Sequence, residues 1–128
     1  MTTAPLSSRQ EANMQRMFAM PFADLYPLYV TKVLKKNRTE TELRSVISWL
    51  TGYDDNGIDR CISSSLSLSE FFANAQLNPD VALITGSVCG VKVQEVQDPL
   101  MRSIRYMDKL VDELAQGKSL AKIMRTLR

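Results

Sequence analysis

The chain has 128 residues, 45% of them hydrophobic, enough for one compact domain with a buried core. Sixteen basic against fourteen acidic residues leave a formal charge of +2, too balanced by itself to mark a polyanion-binding protein. There is no histidine, which removes the usual proton-transfer side chain near neutral pH and the commonest metal ligand.

Residues 1–13 lack the apolar stretch of a secretory signal and read as a disordered extension, with a single helical domain spanning 14–128. Arg9 in a Ser/Thr-rich leader would suit organelle targeting, but Glu11 opposes it, and a cytoplasmic address is expected. No apolar run approaches the ~18 to 20 residues that span a bilayer. Met14, Met17, Phe18, Met20 and Phe22 form an apolar leading segment that ends or bends at Pro21. Asp24 is then placed to cap a helix over about 25–36, with Pro27 in its first turn and Leu25, Leu28, Tyr29 and Val33 on one face.

Thr39 and Glu42 make a capping box, and Leu43, Val46, Ile47 and Leu50 follow at helical spacing until Gly52. Asp54 or Asp55 caps a shorter helix carrying Ile58, Cys61 and Ile62, which a serine run ends. Ser67 and Glu70 form a second box, ahead of Leu68, Phe71 and Phe72. Asn78-Pro79 suits a turn or a helix start, with one or two helical turns over 81–85. Residues 87–96 fit two periods: Val91 and Val93 favour a strand, while Val88, Val91 and Glu95 fit a helix. A lone strand lacks a partner, so helix or irregular backbone is expected there, with a short extended segment as the alternative.

Asp98-Pro99 opens a long helix whose stripe is Leu100, Ile104, Met107, Leu110, Val111 and Leu114, with Gly117 as its end. Its outer side interleaves Arg105 with Asp108 and Lys109 with Asp112 and Glu113. Ser119 caps a last helix with Leu120, Ile123, Met124 and Leu127 inward. The expected fold is all-α, an irregular bundle of about six short-to-medium helices.

Five ordered pieces resemble a known family: F-A-D-L-Y-P-L-Y-V-T-K-V (22–33), W-L-T-G-Y-D (49–54), L-N-P (77–79), L-I-T-G-S-V-C-G-V-K-V (83–93) and D-P-L-M-R-S-I-R-Y-M-D-K-L-V-D-E-L-A-Q-G-K (98–118). The chain is similar, over about residues 14–125, to small bacterial proteins of domain-of-unknown-function family 2200. The resemblance implies a single domain and no assigned activity. Family members tend to carry a histidine just before the arginine at the N-terminal edge, where this chain has Gln15-Arg16, so no role of that histidine carries over.

Three groups of residues could carry chemistry. Cys89, between Gly86 and Gly90, could be an exposed nucleophile, but without an imidazole base a small buried thiol is the favoured reading, and Cys61 is expected to be buried and reduced too. Tyr53, Asp54, Asp55 and Asp59 gather carboxylates that could hold a cation or act as an acid and base pair, although helix capping already accounts for one of them. Arg102, Arg105, Lys109, Lys118, Lys122, Arg125 and Arg128 face only Asp108, Asp112 and Glu113 across the last segment, a local positive excess that could meet phosphates.

A helix-turn-helix over 39–62 would present Asp54, Asp55 and Asp59 to the DNA backbone, which argues against nucleic-acid binding. The clustered methionines suit a protein partner or self-association. The reading that results is a small cytoplasmic helical interaction or regulatory module without catalysis, cofactor or metal. Its candidate surface is Tyr53, Asp54, Asp55, Arg102, Arg105, Lys109 and Lys122. The alternatives are a nucleic-acid-binding protein and an enzyme using Cys89 or the acidic cluster.

Overall fold

The computed structural model describes residues 6–125. Within them are seven α-helices: α1 (Ser8–Ala19), α2 (Phe22–Leu34), α3 (Glu40–Thr51), α4 (Asp55–Ser63), α5 (Leu68–Ala73), α6 (Pro99–Ala115) and α7 (Leu120–Ile123). Strands β1 (Ser87–Val88) and β2 (Val91–Lys92) form a minimal antiparallel hairpin between two 3-10 turns, Pro79–Leu83 and Val93–Glu95. The molecule is therefore mostly helical, with a small extended element at the segment whose periodicity was ambiguous.

Local chemistry explains most helix boundaries. The boxes Thr39/Glu42 and Ser67/Glu70 are both formed, each hydroxyl accepting from the third amide while the glutamate accepts from the cap amide. Gly52 ends α3 in the left-handed region at φ +78°, where an added Cβ would also crowd Gln76 O at 3.2 Å. Asp54 accepts from Gly57 N, and Asp98 from Met101 N with Pro99 as the first helical residue.

Three helix expectations are corrected. A third box, Ser7 with Gln10, starts α1 at Ser8, so helix takes in residues 8–13 of the expected extension. Residues 1–5, and Leu127 in the expected last stripe, lie outside the described residues. The second helix begins at Phe22 rather than after Asp24, because the Phe22 amide donates to Leu66 O at 2.7 Å and needs no side-chain cap. That start rotates the buried face to Phe22, Tyr26, Tyr29 and Val33 and leaves Leu28 60% exposed.

The core is built around α6, which packs against α2, α3, α5, the hairpin and α7. Ile104, Met107, Leu110, Val111 and Leu114 are buried along it, while Leu100 at its first turn is half-buried. At the other end of the core Phe22 stacks on Phe71 with centroids 4.2 Å apart, and Tyr53 and Phe72 flank Phe71. Helix α1 has no buried residue and docks through half-buried Met17, Phe18 and Met20.

The hairpin pairs Val88 with Val91 across Cys89-Gly90. Both central residues have positive φ, +52° and +76°, as a two-residue type I′ turn demands. This is the short extended segment that the sequence allows as the alternative to helix or irregular backbone; with strands only two residues long, periodicity does not decide between them. Its footing is long-range: Val88 is buried, and Lys109 Nζ of α6 donates to Ser87 O at 3.1 Å.

Candidate functional site

The sequence-predicted residues fall on separate faces. Tyr53, Asp54 and Asp55 line a hollow of about 490 Å³ together with Thr41, Arg44, Ser45, Ser48 and Gly52. The three leading residues already have structural partners there. Tyr53 donates its hydroxyl inward to Phe71 O at 2.6 Å, and Asp54 is occupied by its cap. Arg44 meets Asp59 at 2.8 Å and Asp55 at 3.7 Å, so the acidic cluster surrounds an arginine. Arg44 also donates to Tyr26, whose hydroxyl donates to Glu40 at 2.5 Å. Among the described residues no cluster of three or more acidic or cysteine side chains has metal-holding geometry.

Three of the four basic candidates are engaged as well. Arg102 donates to Val96 O and Gln97 O, Arg105 to Asp108 at 3.0 Å, and Lys109 to the hairpin. Lys122, on α7, makes no ion pair among the described residues. Glu113, expected on the outer face, is instead 2% exposed; Arg125 reaches it at 2.6 Å, Lys118 at 3.2 Å and Lys109 at 4.0 Å. Three cations offset the desolvation of that carboxylate, although its Oε1 is buried without a hydrogen-bond partner. The signal was available: Glu113 directly precedes the stripe residue Leu114 and lies four residues after Lys109.

Cys89 is exposed, which corrects the buried-thiol expectation: as the first central residue of the turn its side chain stands clear of the core. Cys61 is buried as expected, and burial pushes its thiol pKa up despite the Tyr53 hydroxyl nearby.

The feature that sequence reasoning caught only in part is an apolar cleft between α1, the start of α6 and the hairpin. One arm, about 340 Å³, is lined by Leu6, Met14, Val91, Val96, Gln97, Asp98, Met101 and Arg105. A second arm, about 270 Å³, shares Leu6, Met14, Met101 and Arg105 and adds Gln10, Asn13 and Met17. The clustered methionines pointed to it. The hairpin, whose periodicity was ambiguous, and Leu6 complete it.

Arg105 forms the polar point of this cleft. Its partner Asp108 is shared, one oxygen taking Arg105 Nη1 and the other the Tyr29 hydroxyl at 2.5 Å. Tyr29 is buried, and burial followed by the Asp108 charge raises its pKa well above the ordinary phenol value. That part-buried hydrogen bond fixes Asp108, and Asp108 in turn fixes Arg105.

Among known proteins, a family model described as an uncharacterized protein conserved in bacteria (DUF2200) matches residues 16–125. A crystal structure of the uncharacterized protein SP1917 is similar at 38% identity, covering 86% of this chain and 91% of that one, with a TM-score of 0.81. No curated protein matches. Neither similarity brings an activity with it.

Proposed function

The chain belongs to the DUF2200 family of uncharacterized bacterial proteins, and from that premise we propose that it is a cytoplasmic helical interaction or regulatory module that acts by binding. The methionine-lined cleft is the observation that carries this reading. Its arms together fall within the roughly 300–1,000 Å³ usual for ligand sites, and they are apolar apart from a few polar groups at the margin. Unbranched, polarizable methionine side chains can repack around a guest. No helix among the described residues is long and apolar enough to cross a membrane.

Nucleic-acid binding has less support. Arg105, Lys109, Lys118 and Arg125 each lie beside a carboxylate, which leaves less free charge for phosphates than their number suggests. Catalysis by Asp54, Asp55 or Asp59 would first have to release them from a cap or from Arg44.

The test is capture from a bacterial lysate, with native mass spectrometry of what is retained, using the wild type and Met101→Glu. A ligand or partner held by the wild type and lost in the variant, with unchanged circular dichroism, is expected. Equal retention by both proteins would move the binding face elsewhere.

A further inference from the structure

We propose that the cleft accepts a single-chain amphipathic carboxylate, its apolar chain against Met14, Met101 and Val91 and its head group on Arg105. This deepens the binding reading above and rests on it. The guanidinium at the cleft selects this chemistry. Arg105 is the cationic side chain common to both arms, and it is held in place rather than freely solvated, with 18% of its side chain exposed. Of its five N–H donors, Nη1 meets Asp108 at 3.0 Å, and no other makes a hydrogen bond within the described residues. A planar guanidinium with donors to spare matches a carboxylate in a bidentate fork.

Asp108 balances the formal charge of Arg105 but meets only Nη1, its other oxygen being taken by the Tyr29 hydroxyl, so Nε and Nη2 remain as donors for a head group. Asp98 lines the larger arm too, but its carboxylate accepts Met101 N at the amino end of α6, where the helix dipole offsets it. A neutral apolar guest would cover the spare Nε and Nη2 donors of Arg105 without an acceptor, a cost that a carboxylate offsets by accepting from them.

Titration calorimetry of the full chain with decanoate, 1-decanol and decyltrimethylammonium, each below its aggregation limit, tests this. Decanoate is expected to bind one to one and about tenfold more tightly than decanol, with the cationic probe weakest. Arg105→Gln should bring decanoate down to the decanol level and leave decanol unchanged, while Arg105→Lys retains most of the preference. Met14→Glu, on the half-buried face of α1, should weaken both probes and does not touch the Arg105 to Asp108 pair.

Decanol binding as tightly as decanoate, with no effect of Arg105→Gln, would overturn the carboxylate assignment and leave the cleft reading standing. If no decyl probe binds but an apolar peptide does, the site is a protein-docking surface and the proposal fails. If neither the decyl probes nor the peptide bind, the cleft reading fails with it.

Discussion

Arg38 and Glu42 join two ends of the molecule that are far apart in sequence. Nε and Nη2 of Arg38 donate to Glu42 Oε2 at 3.1 and 2.8 Å, and Nη1 of the same guanidinium donates to Leu114 O and Lys118 O at 3.2 and 2.8 Å. An arginine just before α3 thus bonds one carbonyl of the last turn of α6 and one of the connection that follows it.

Removing those bonds should be costly. Arg38→Met keeps the aliphatic stem but removes the donors to Leu114 O, Lys118 O and Glu42 Oε2, and a loss of about 2 kcal/mol is expected by urea denaturation. A change below about 0.5 kcal/mol would show that water replaces the guanidinium without penalty.

The same arginine sets the acid response. Its side-chain hydrogen bonds to Glu42, with the Thr39 amide adding to them, lower that carboxyl pKa from 4.5 to about 2. The folded pKa lies below the unfolded one, so this stabilisation is complete above about 4.5 and is lost as pH falls towards 2. Glu70, lowered by the Ser67 amide, acts in the same direction. Glu42→Gln should flatten the acid limb of a stability-against-pH curve, and an unaltered limb would assign the acid sensitivity elsewhere.

At high pH the tyrosines take over. Burial is the leading reason that Tyr26, Tyr29 and Tyr53 have raised pKa values, so their neutral forms persist in the fold. Their contribution is complete below the ordinary phenol value of 10.0 and declines as pH climbs beyond it, when the unfolded chain ionises first. Tyr29→Phe removes the Asp108 bond, with an expected cost of about 1–2 kcal/mol at neutral pH and a shallower alkaline decline. Ultraviolet difference absorbance during unfolding reads both effects.

The two thiols should separate cleanly. Cys89 on the exposed turn is expected to label with a maleimide in the native state, and Cys61 only after denaturation. Cys89→Asn suits the left-handed turn better and should raise stability by a few tenths to about 1 kcal/mol. Slow native labelling at Cys89 would mean that the turn packs inward in solution.

Glu113→Gln leaves Arg125 and Lys118 without their shared carboxylate in a buried position, and a loss of about 3 kcal/mol is expected. Faster tryptic cleavage after Lys118 and Arg125 should accompany it, because those ion pairs fasten α7 to α6. Unchanged proteolysis would show that apolar packing of Ile123 suffices.

Local chemistry made much of this architecture readable. The boxes at Thr39/Glu42 and Ser67/Glu70, the Asp98-Pro99 start and the stripe from Ile104 to Leu114 are written in nearest-neighbour rules, and each formed. What escaped was decided by distant partners. Phe22 begins its helix on an amide hydrogen bond to Leu66 O, the Cys89 turn rests on Lys109, and Glu113 turns inward because Lys118 and Arg125 reach it from the chain on either side of α7. For the site, sequence supplied Arg105 and the methionines but not their meeting, which depends on a hairpin too short for periodicity to reveal.

Helix α1 forms one wall of the cleft without a buried residue of its own. Its amide protons should therefore exchange through local detachment, at a free energy well below that of global unfolding. Any occupant touching Met14 would have to hold that wall in place and so give up part of its affinity to ordering it. Binding would then be reported by slowed hydrogen exchange across residues 8–19 while the α6 amides, already protected by the core, kept their rates.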